Sequence, residues 1–301
     1  MNIHTIVDNL TAWTGALAAG KNKFFSKSIT SQTFEEYFKS LDMDIPDIAG
    51  EERHFVEVKS PDIELDPAFW VAHWTGWNSP TIIFHHGNNE NPFNTSRLAK
   101  HSFQMIFGSN LSIDNVNIIA IRAPFHGDSL KDYSKRITDL SNFVALISTS
   151  VALTEKLITQ LKNRSNQTIL ISGISLGGWV TNLHRTYFNT ADLYVPLLAG
   201  AALAEVFLTS KYKRLTGVLA LQNPEIIRNQ LTFEDDFEKN ELKNVFPLLG
   251  RYDQFIQFER QKKCYKSLGQ PQVLDKGHVT SLLAASALYQ HIITTLKMDA
   301  F

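Results

Sequence analysis

The alternation of strand-like and helix-like segments is the sequence feature that most constrains the fold. From Thr81 onward, the short apolar segments "TIIFHH", "VNIIAI", "QTILIS" and "ADLYVPLL" alternate with longer segments whose apolar residues have helical spacing. Strands that alternate with helices pair in parallel, and helices cover both faces of the resulting sheet. Such strands are apolar along their whole length because neither face meets water. The sequence therefore predicts an α/β fold with a mostly parallel central sheet.

The segments on either side of this pattern predict the domain organisation. Residues 1–50 show helical spacing in "TIVDNLTAW" and "SQTFEEYFKSLD" and then a break at Pro46 and Gly50, which predicts a helical N-terminal extension. Residues 51–301 are expected to form the main domain. It opens with two strands, "HFVEVKS" and "FWVAHW", in a hairpin-like arrangement.

Within the main domain, one helix is expected over "PFNTSRLAKHSFQMIF" and another over the C-terminal segment "SLLAASALYQHIITTLK". The alternation lapses between residues 201 and 243, where several short helices precede the polar stretch "TFEDDFEKN". We interpret this lapse as a helical cap above the carboxyl edge of the sheet. The last two strands are expected in "NVFPLLGRYD" and "PQVLDKGH".

Composition narrows the functional class. The chain is 44% hydrophobic and 20% charged, as is usual for a globular protein with a core, and its net charge of −1 favours neither nucleic acid nor an anionic surface. One cysteine cannot form an internal disulfide, and Cys264 in "QKKCYKSL" is expected at the surface or edge of a helix, in a structural role. The N-terminus lacks a basic region and has Asp8 within its apolar stretch, and no transmembrane segment is expected. The prediction is a cytoplasmic protein.

The stretch "GISLGG" carries the strongest functional signal. Residues 173–177 fit the pattern G-x-S-x-G between a predicted strand and a predicted helix. In that context a sharp turn lifts the serine above the sheet, and glycines at its flanks make room for the turn. Ser175 is therefore a candidate nucleophile, although the same pattern also occurs as a plain strand-to-helix turn.

A serine nucleophile needs a general base and an acid that orients this base. Of the three histidines after Ser175, His184 and His291 lie within predicted helices, whereas His278 follows a strand in "LDKGH". The leading acid candidate is Asp253 in "GRYD", at the end of the preceding strand. The alternatives are Asp235 and Asp236 in the polar stretch and Asp275 close to His278.

An oxyanion hole completes such a site. One donor is the N–H of the residue after the nucleophile, which is Leu176, and a second comes from the loop after an earlier strand. That loop reads "FHHGNN", so Asn88 is the expected donor and Asn89 the alternative. His85 and His86 are expected to be structural, and no metal site is expected because no further ligand has suitable spacing.

Two further segments are candidates for binding substrate. "APFHGDS" ends a strand at the rim of the sheet, where Phe125 and His126 could line a pocket or form a plain turn. The predicted cap carries Leu203, Val206, Phe207 and Leu208, and Phe207 is the candidate there for an acyl or aromatic pocket.

Taken in order, "FHHGNN", "GISLGG", "GRYD" and "KGH" resemble the α/β-hydrolase superfamily over about residues 52–298. This resemblance implies Ser175 as nucleophile, Asp253 as acid and His278 as base. "APFHG", "GISLGG" and "VPLLAGAALAEVFLTS" are similar to the alpha/beta hydrolase domain eighteen type. "APFHGDS" departs from the commoner superfamily pattern at this strand exit.

The expected function is a serine hydrolase that cleaves a carboxylic ester of a small molecule, such as a lipid or another acyl ester, without a cofactor. The alternatives are a peptidase of the oligopeptidase type and a non-catalytic binding protein with the same fold. Fold analogy alone does not assign a substrate.

Overall fold

The computed structural model describes residues 2–48, 50–60, 63–96, 100–109, 111, 113, 115–239, 243–268 and 270–298. The strands within these residues are β1 Asp42–Met43, β2 Arg53–Phe55, β3 Val58–Lys59, β4 Ala68–His73, β5 Thr81–His85, β6 Asn117–Arg122, β7 Ile169–Ile174, β8 Leu193–Leu197, β9 Leu248–Gly250 and β10 Gln272–Leu274. Eight of them form one sheet in the order β10-β9-β8-β7-β5-β6-β4-β2, while β1 and β3 pair separately.

The sheet is parallel from β10 to β6 and antiparallel at the β4 and β2 edge. In the centre, His85 at the end of β5 lies opposite Gly173 near the end of β7. Parallel strands end at the same edge of a sheet, so the loops that follow β5 and β7 lie side by side. The segments that the sequence predicts to be functional therefore lie at this carboxyl edge of the sheet.

The helices of the described residues are α1 Ile3–Ala19, α2 Phe34–Ser40, α3 Ser102–Phe107, α4 Leu130–Arg136, α5 Leu140–Lys162, α6 Leu176–Tyr187, α7 Leu203–Leu208, α8 Val218–Gln222, α9 Pro224–Leu231, α10 Glu234–Glu238, α11 Phe258–Gln261, α12 His278–Ser281 and α13 Ala285–Met298. Three 3₁₀ helices add to them, at Lys211–Leu215, Lys262–Leu268 and Leu282–Ala284.

Apolar layers lie on both faces of the sheet. Successive residues of β5 show the alternation, because Ile83 packs into one layer while Ile82 and Phe84 pack into the other. Helices α5 and α6 cover the first face, and α3 and α13 cover the second. The predicted fold class, a mostly parallel sheet with helices on both faces, is confirmed.

The structure differs from the sequence prediction at several local elements. The helix predicted over residues 92–107 begins only at Ser102, while residues 97–99 lie outside the described residues. Before it, the side chains of Asn91 and Asn94 accept N–H bonds two residues ahead, and such bonds compete with helix formation. The polar stretch after residue 232 contains α10. Cys264 is buried and packs in the core, so its predicted surface position is wrong.

Two helical segments, Leu140–Lys162 and His278–Met298, have the length and mean hydropathy of a membrane span. The first is largely buried in the core, and the second contributes Leu288, Ile292, Ile293 and Leu296 to the layer under the sheet. A core helix of a globular protein passes the same test of length and composition, so these two segments are weak evidence for a membrane span.

Candidate active site

Ser175 lies on the sharp turn between β7 and α6. Its backbone has φ 54° and ψ −110°, a conformation that is uncommon for a residue with a side chain. The turn requires glycines, because a Cβ atom on Gly173 would lie 2.4 Å from the backbone of Gly177. A Cβ atom on Gly177 would lie 2.3 Å from the carbonyl oxygen of His85. Local sterics thus hold the hydroxyl of Ser175 above the carboxyl edge of the sheet.

The structure brings Ser175, His278 and Asp253 into one hydrogen-bonded chain. His278 Nε2 lies 3.0 Å from Ser175 Oγ, and His278 Nδ1 lies 2.7 Å from Asp253 Oδ2. The other oxygen of Asp253 accepts the N–H groups of Phe255 and Ile256 at 2.8 and 2.7 Å. An imidazole held in this way has Nε2 free to accept a proton from the serine.

Of the alternative acids and bases, Asp235 is exposed on α10, and the others are engaged elsewhere. Asp275 pairs with Arg251 at the surface, and Asp236 pairs with Lys239 at 2.6 Å. His184 is buried between Tyr194 and Glu155, while His291 contacts the carbonyl oxygen of Phe246 at 2.9 Å. Among these residues none contacts Ser175 in the described structure.

Two opposing effects set the pKa of His278. Burial disfavours the charged imidazolium, but the negative charge and hydrogen bond of Asp253 favour it, as do the charges of Asp8 and Glu90. The acidic neighbours outweigh burial, and the pKa of His278 lies above its ordinary value of 6.5. The base is therefore in its charged form at low pH and becomes neutral only as the pH rises.

The two expected oxyanion donors lie beside Ser175 and border the same cavity. Neither Asn88 nor Leu176 donates its backbone N–H to another described residue. In contrast, the N–H of Asn89 bonds His126 Nε2 at 3.3 Å. The side chain of Asn88 donates to the hydroxyl of Tyr212 at 3.1 Å and accepts a short hydrogen bond from Tyr133. This pair of hydroxyls fixes the loop that presents the N–H of Asn88.

His85, the last residue of β5, and His86, the first residue of the loop after it, are both buried. His85 bonds Thr154 at 2.8 Å, and burial lowers its pKa to about 3. His86 donates from Nδ1 to the carbonyl oxygen of Gly87 and accepts the N–H of Ala123 at Nε2. Across the residues that the structure describes, no group of three His, Cys, Asp or Glu side chains is arranged to hold a metal ion.

A cavity of about 240 Å³ opens above Ser175. Its floor holds the hydroxyl of Ser175 and the ring of His278. Its walls are mostly apolar and include Phe24, Phe143, Leu203, Val206, Phe207 and Phe255. Phe125 and His126 do not border this cavity. His126 instead supports Asn89, and the ring of Phe125 is buried beneath Arg136.

Sequence reasoning did not identify several residues at this site. Glu90 borders the cavity and accepts the N–H of Gly87 at 2.9 Å. From the N-terminal segment, Thr11 and Phe24 border the cavity, and Asp8 bonds the loop of His278. One feature of the sequence points to Asp8, because it is the only charged residue within α1.

The fold is similar to that of several solved structures. The acylaminoacyl peptidase of Pyrococcus horikoshii aligns at 15% identity with a TM-score of 0.53 over 83% of this chain and 42% of the peptidase. Est1E from Butyrivibrio proteoclasticus has the same identity and TM-score, and the alignment covers 83% of this chain and all of Est1E (100%). Acetyl xylan esterase 1 from Thermoanaerobacterium aligns at 10% identity with a TM-score of 0.51. The alignment covers 89% of this chain and 96% of the esterase.

These alignments show that the chain has the α/β-hydrolase fold, as the resemblance of its motifs implies. The chain spans about two fifths of the length of the peptidases that it matches. No protein-family model matches the sequence, and neither does a curated protein.

Proposed function

We propose that the protein is a serine hydrolase that cleaves carboxylic esters of small molecules. The observation that carries this proposal is the position of the His278 ring, within hydrogen-bond reach of both Ser175 Oγ and Asp253 Oδ2. A buried acid that orients a base toward a serine is the arrangement that activates a hydroxyl for acyl transfer.

In the proposed reaction, the hydroxyl of Ser175 attacks the ester carbonyl and gives its proton to Nε2 of His278. Asp253 stabilises the imidazolium that results. The carbonyl oxygen becomes an oxyanion and accepts the N–H groups of Asn88 and Leu176. The imidazolium then protonates the leaving alcohol, and an acyl-enzyme forms on Ser175. Water attacks the acyl-enzyme with the same base, which releases the acid and restores the serine.

The similarity to two esterases, Est1E and acetyl xylan esterase 1, and the lining of the cavity support an ester. The cavity wall that Phe24, Phe143 and Phe207 form is apolar and suits an acyl group.

A peptidase is the second candidate, and the similarity to acylaminoacyl peptidase favours it. Hydrolysis of p-nitrophenyl acetate and butyrate, compared with that of an acylated peptide p-nitroanilide, separates the two. We expect the protein to hydrolyse the esters with the larger kcat/KM. Ser175→Ala should abolish this hydrolysis, and Ser134→Ala, at a half-buried serine of α4 away from the cavity, should retain it. A folded protein that is inactive toward both classes would favour the non-catalytic binding protein instead.

A further inference from the structure

Helix α1 contacts both loops of the proposed catalytic pair through one side chain. Asp8 is fully buried, and its Oδ2 accepts the N–H of His278 at 2.8 Å and the N–H of Gln254 at 3.1 Å. Its Oδ1 accepts the N–H of Val279 at 3.0 Å. Gln254 directly follows Asp253, so a single carboxylate joins the loop of the acid to the loop of the base.

The residues around Asp8 pack closely enough to keep α1 against the loop of His278. A Cβ atom on Gly277 would lie 2.8 Å from Asp8 Oδ2 and 3.0 Å from the carbonyl oxygen of His4, so a larger residue would push α1 away. One turn earlier on the helix, His4 Nδ1 lies 2.9 Å from Thr280 Oγ1. Helix α1 is thus fitted closely against the start of α12, where His278 is the first residue.

A buried carboxylate is costly unless its charge is compensated. Within the described residues no Lys or Arg pairs with Asp8, and its hydrogen-bond partners are the three N–H groups of the two loops. The imidazolium that His278 would form has the opposite charge. The negative charges of Asp253, Asp8 and Glu90, from different parts of the fold, all favour it.

We propose that Asp8 is a positioning residue, which holds His278 and Asp253 in register and stabilises the imidazolium through its negative charge. This inference rests on the proposed serine hydrolase function. It assigns a role in that reaction to the N-terminal helix, which precedes residues 52–298, the range over which the sequence motifs resemble the α/β-hydrolase superfamily.

The test compares Asp8→Asn with Ala12→Gly, a matched variant at another buried position of the same helix. Ala12→Gly weakens α1 but leaves the carboxylate in place. For Asp8→Asn we expect kcat for p-nitrophenyl butyrate to fall by about 10- to 100-fold with little change in KM, since small misplacements of catalytic groups have effects of this size. Ala12→Gly should retain kcat in the fraction of protein that is folded.

The pH profile separates a positioning role from a purely structural one. The charge of Asp8 raises the pKa of His278, so its removal should move the acidic limb of kcat/KM to lower pH. A loss of folded protein would lower kcat/KM by the same factor at every pH and would leave the midpoint of the acidic limb unchanged. An unchanged kcat, or a lowered kcat with an unmoved limb, would overturn the proposal.

A readout without turnover distinguishes this inference from the function on which it rests. The imidazole of His278, assigned by NMR through its loss in His278→Gln, should titrate at lower pH in Asp8→Asn than in the wild type. If the wild type hydrolyses no ester but this shift appears, the coupling stands and the proposed function fails. If the wild type hydrolyses esters and the shift is absent, the coupling fails alone.

The outer face of α1 carries a second, independent feature. Ile3, Ile6, Leu10, Trp13 and Leu17 recur at helical spacing and are all exposed, with Leu17 74% and Leu10 62% accessible. No charged side chain of α1 lies on this face, since Asp8 points into the protein. We name these five residues the α1 stripe. A contiguous apolar stripe of this kind marks an interaction surface.

Basic residues surround one end of the α1 stripe. Arg214 lies over the ring of Trp13 at 5.1 Å, and Lys211 and Lys213 are exposed on the same 3₁₀ helix. Lys21 and Lys23 follow the end of α1. No acidic residue occurs between residues 9 and 34 or between residues 206 and 224. An apolar helix face with a basic rim matches the surface of an anionic lipid bilayer.

We infer that the α1 stripe docks onto anionic membranes, with the cavity that Thr11 borders beside the lipid. Co-sedimentation with vesicles of phosphatidylglycerol and phosphatidylcholine should capture the protein, and vesicles of phosphatidylcholine alone should capture about tenfold less. The double variant Leu10→Ser and Leu17→Ser should lose binding. Leu130→Ser, which alters an exposed leucine of α4, should bind like the wild type.

Three results would overturn this second inference. The first is the absence of binding to anionic vesicles, and the second is equal binding by the double variant. The third is self-association of the wild type in analytical ultracentrifugation that the double variant abolishes, which would make a second copy of the chain the partner of the stripe.

Discussion

At the scale of single residues, the environment of Asp253 distinguishes it from the other candidate acids. Asp253 is buried, and its carboxylate accepts hydrogen bonds from the imidazole of His278 and from two backbone N–H groups. Asp275, in contrast, is exposed and bonds Arg251. Sequence order singled out Asp253 because it follows the strand that precedes the one leading to His278.

The first prediction concerns this carboxylate. Asp253→Asn should lower kcat for an ester by about 10⁴-fold, because the amide favours the wrong tautomer of His278 and cannot stabilise the imidazolium. Steady-state kinetics measure the loss, and Asp275→Asn is the matched control with near wild-type kcat. If the two variants have equal rates, the acid role of Asp253 is contradicted.

A second prediction at this scale concerns pH. His278 must be neutral to accept the proton of Ser175, and its acidic neighbours raise its pKa above 6.5. The value of kcat/KM should therefore rise with pH and reach half of its plateau above pH 6.5. A midpoint at or below that pH in the ester assay would show that burial, rather than the acidic neighbours, dominates.

At the scale of elements, the strand-to-helix turn at Ser175 depends on close backbone contacts. Gly177→Ala would place a Cβ atom 2.3 Å from the carbonyl oxygen of His85, and backbone cannot move aside as a side chain can. We expect this variant to lose ester hydrolysis and to melt at a lower temperature. Gly15→Ala is the control, because its Cβ atom would meet only the end of the Leu215 side chain at 3.4 Å. Similar melting temperatures and rates for both variants would contradict this account of the turn.

Elements with strong periodicity could be predicted from the sequence, whereas the short helix α4 could not. The long helix α5 and strand β7 lie where the pattern indicates. Helix α4 went unpredicted, although Ser129 caps it by accepting the N–H of Asp132 at 3.2 Å. The roles of Ser175 and His278 could be predicted from their motifs, because the fold fixes the order of these motifs along the chain.

At the scale of the whole molecule, the N-terminal segment is built into the core. Phe25 is fully buried, and its ring contacts Phe24, Phe143 and Phe207. The division into a helical extension over residues 1–50 and a main domain over 51–301 stays a prediction. These contacts tie the two parts together.

This packing leads to a prediction on stability. Phe25→Ala should lower the free energy of unfolding by about 3–5 kcal/mol, the usual cost of truncating a buried phenylalanine. Phe55→Ala, at a ring that is 67% exposed, should cost less than about 1 kcal/mol. Urea denaturation measures both values. Equal and small losses would mean that the N-terminal segment packs loosely against the rest of the chain.

Contacts between distant parts of the chain mark the limit of sequence reasoning. Asp8 and His278 are separated by 270 positions, and no spacing rule links a charge in an N-terminal helix to a loop so far away. A single charged residue in an otherwise uncharged helix indicated an unusual position but not the partner of that residue. The partner follows only from the way α1 packs against α12.

The central claim is that Ser175 is a nucleophile that His278 and Asp253 activate. Reaction with a fluorophosphonate, followed by mass spectrometry of the intact protein and its peptides, tests this claim most directly. We expect one adduct per chain on the peptide that contains Ser175, and none in Ser175→Ala. A folded wild-type protein that forms no adduct, or forms it at another residue, would contradict the claim.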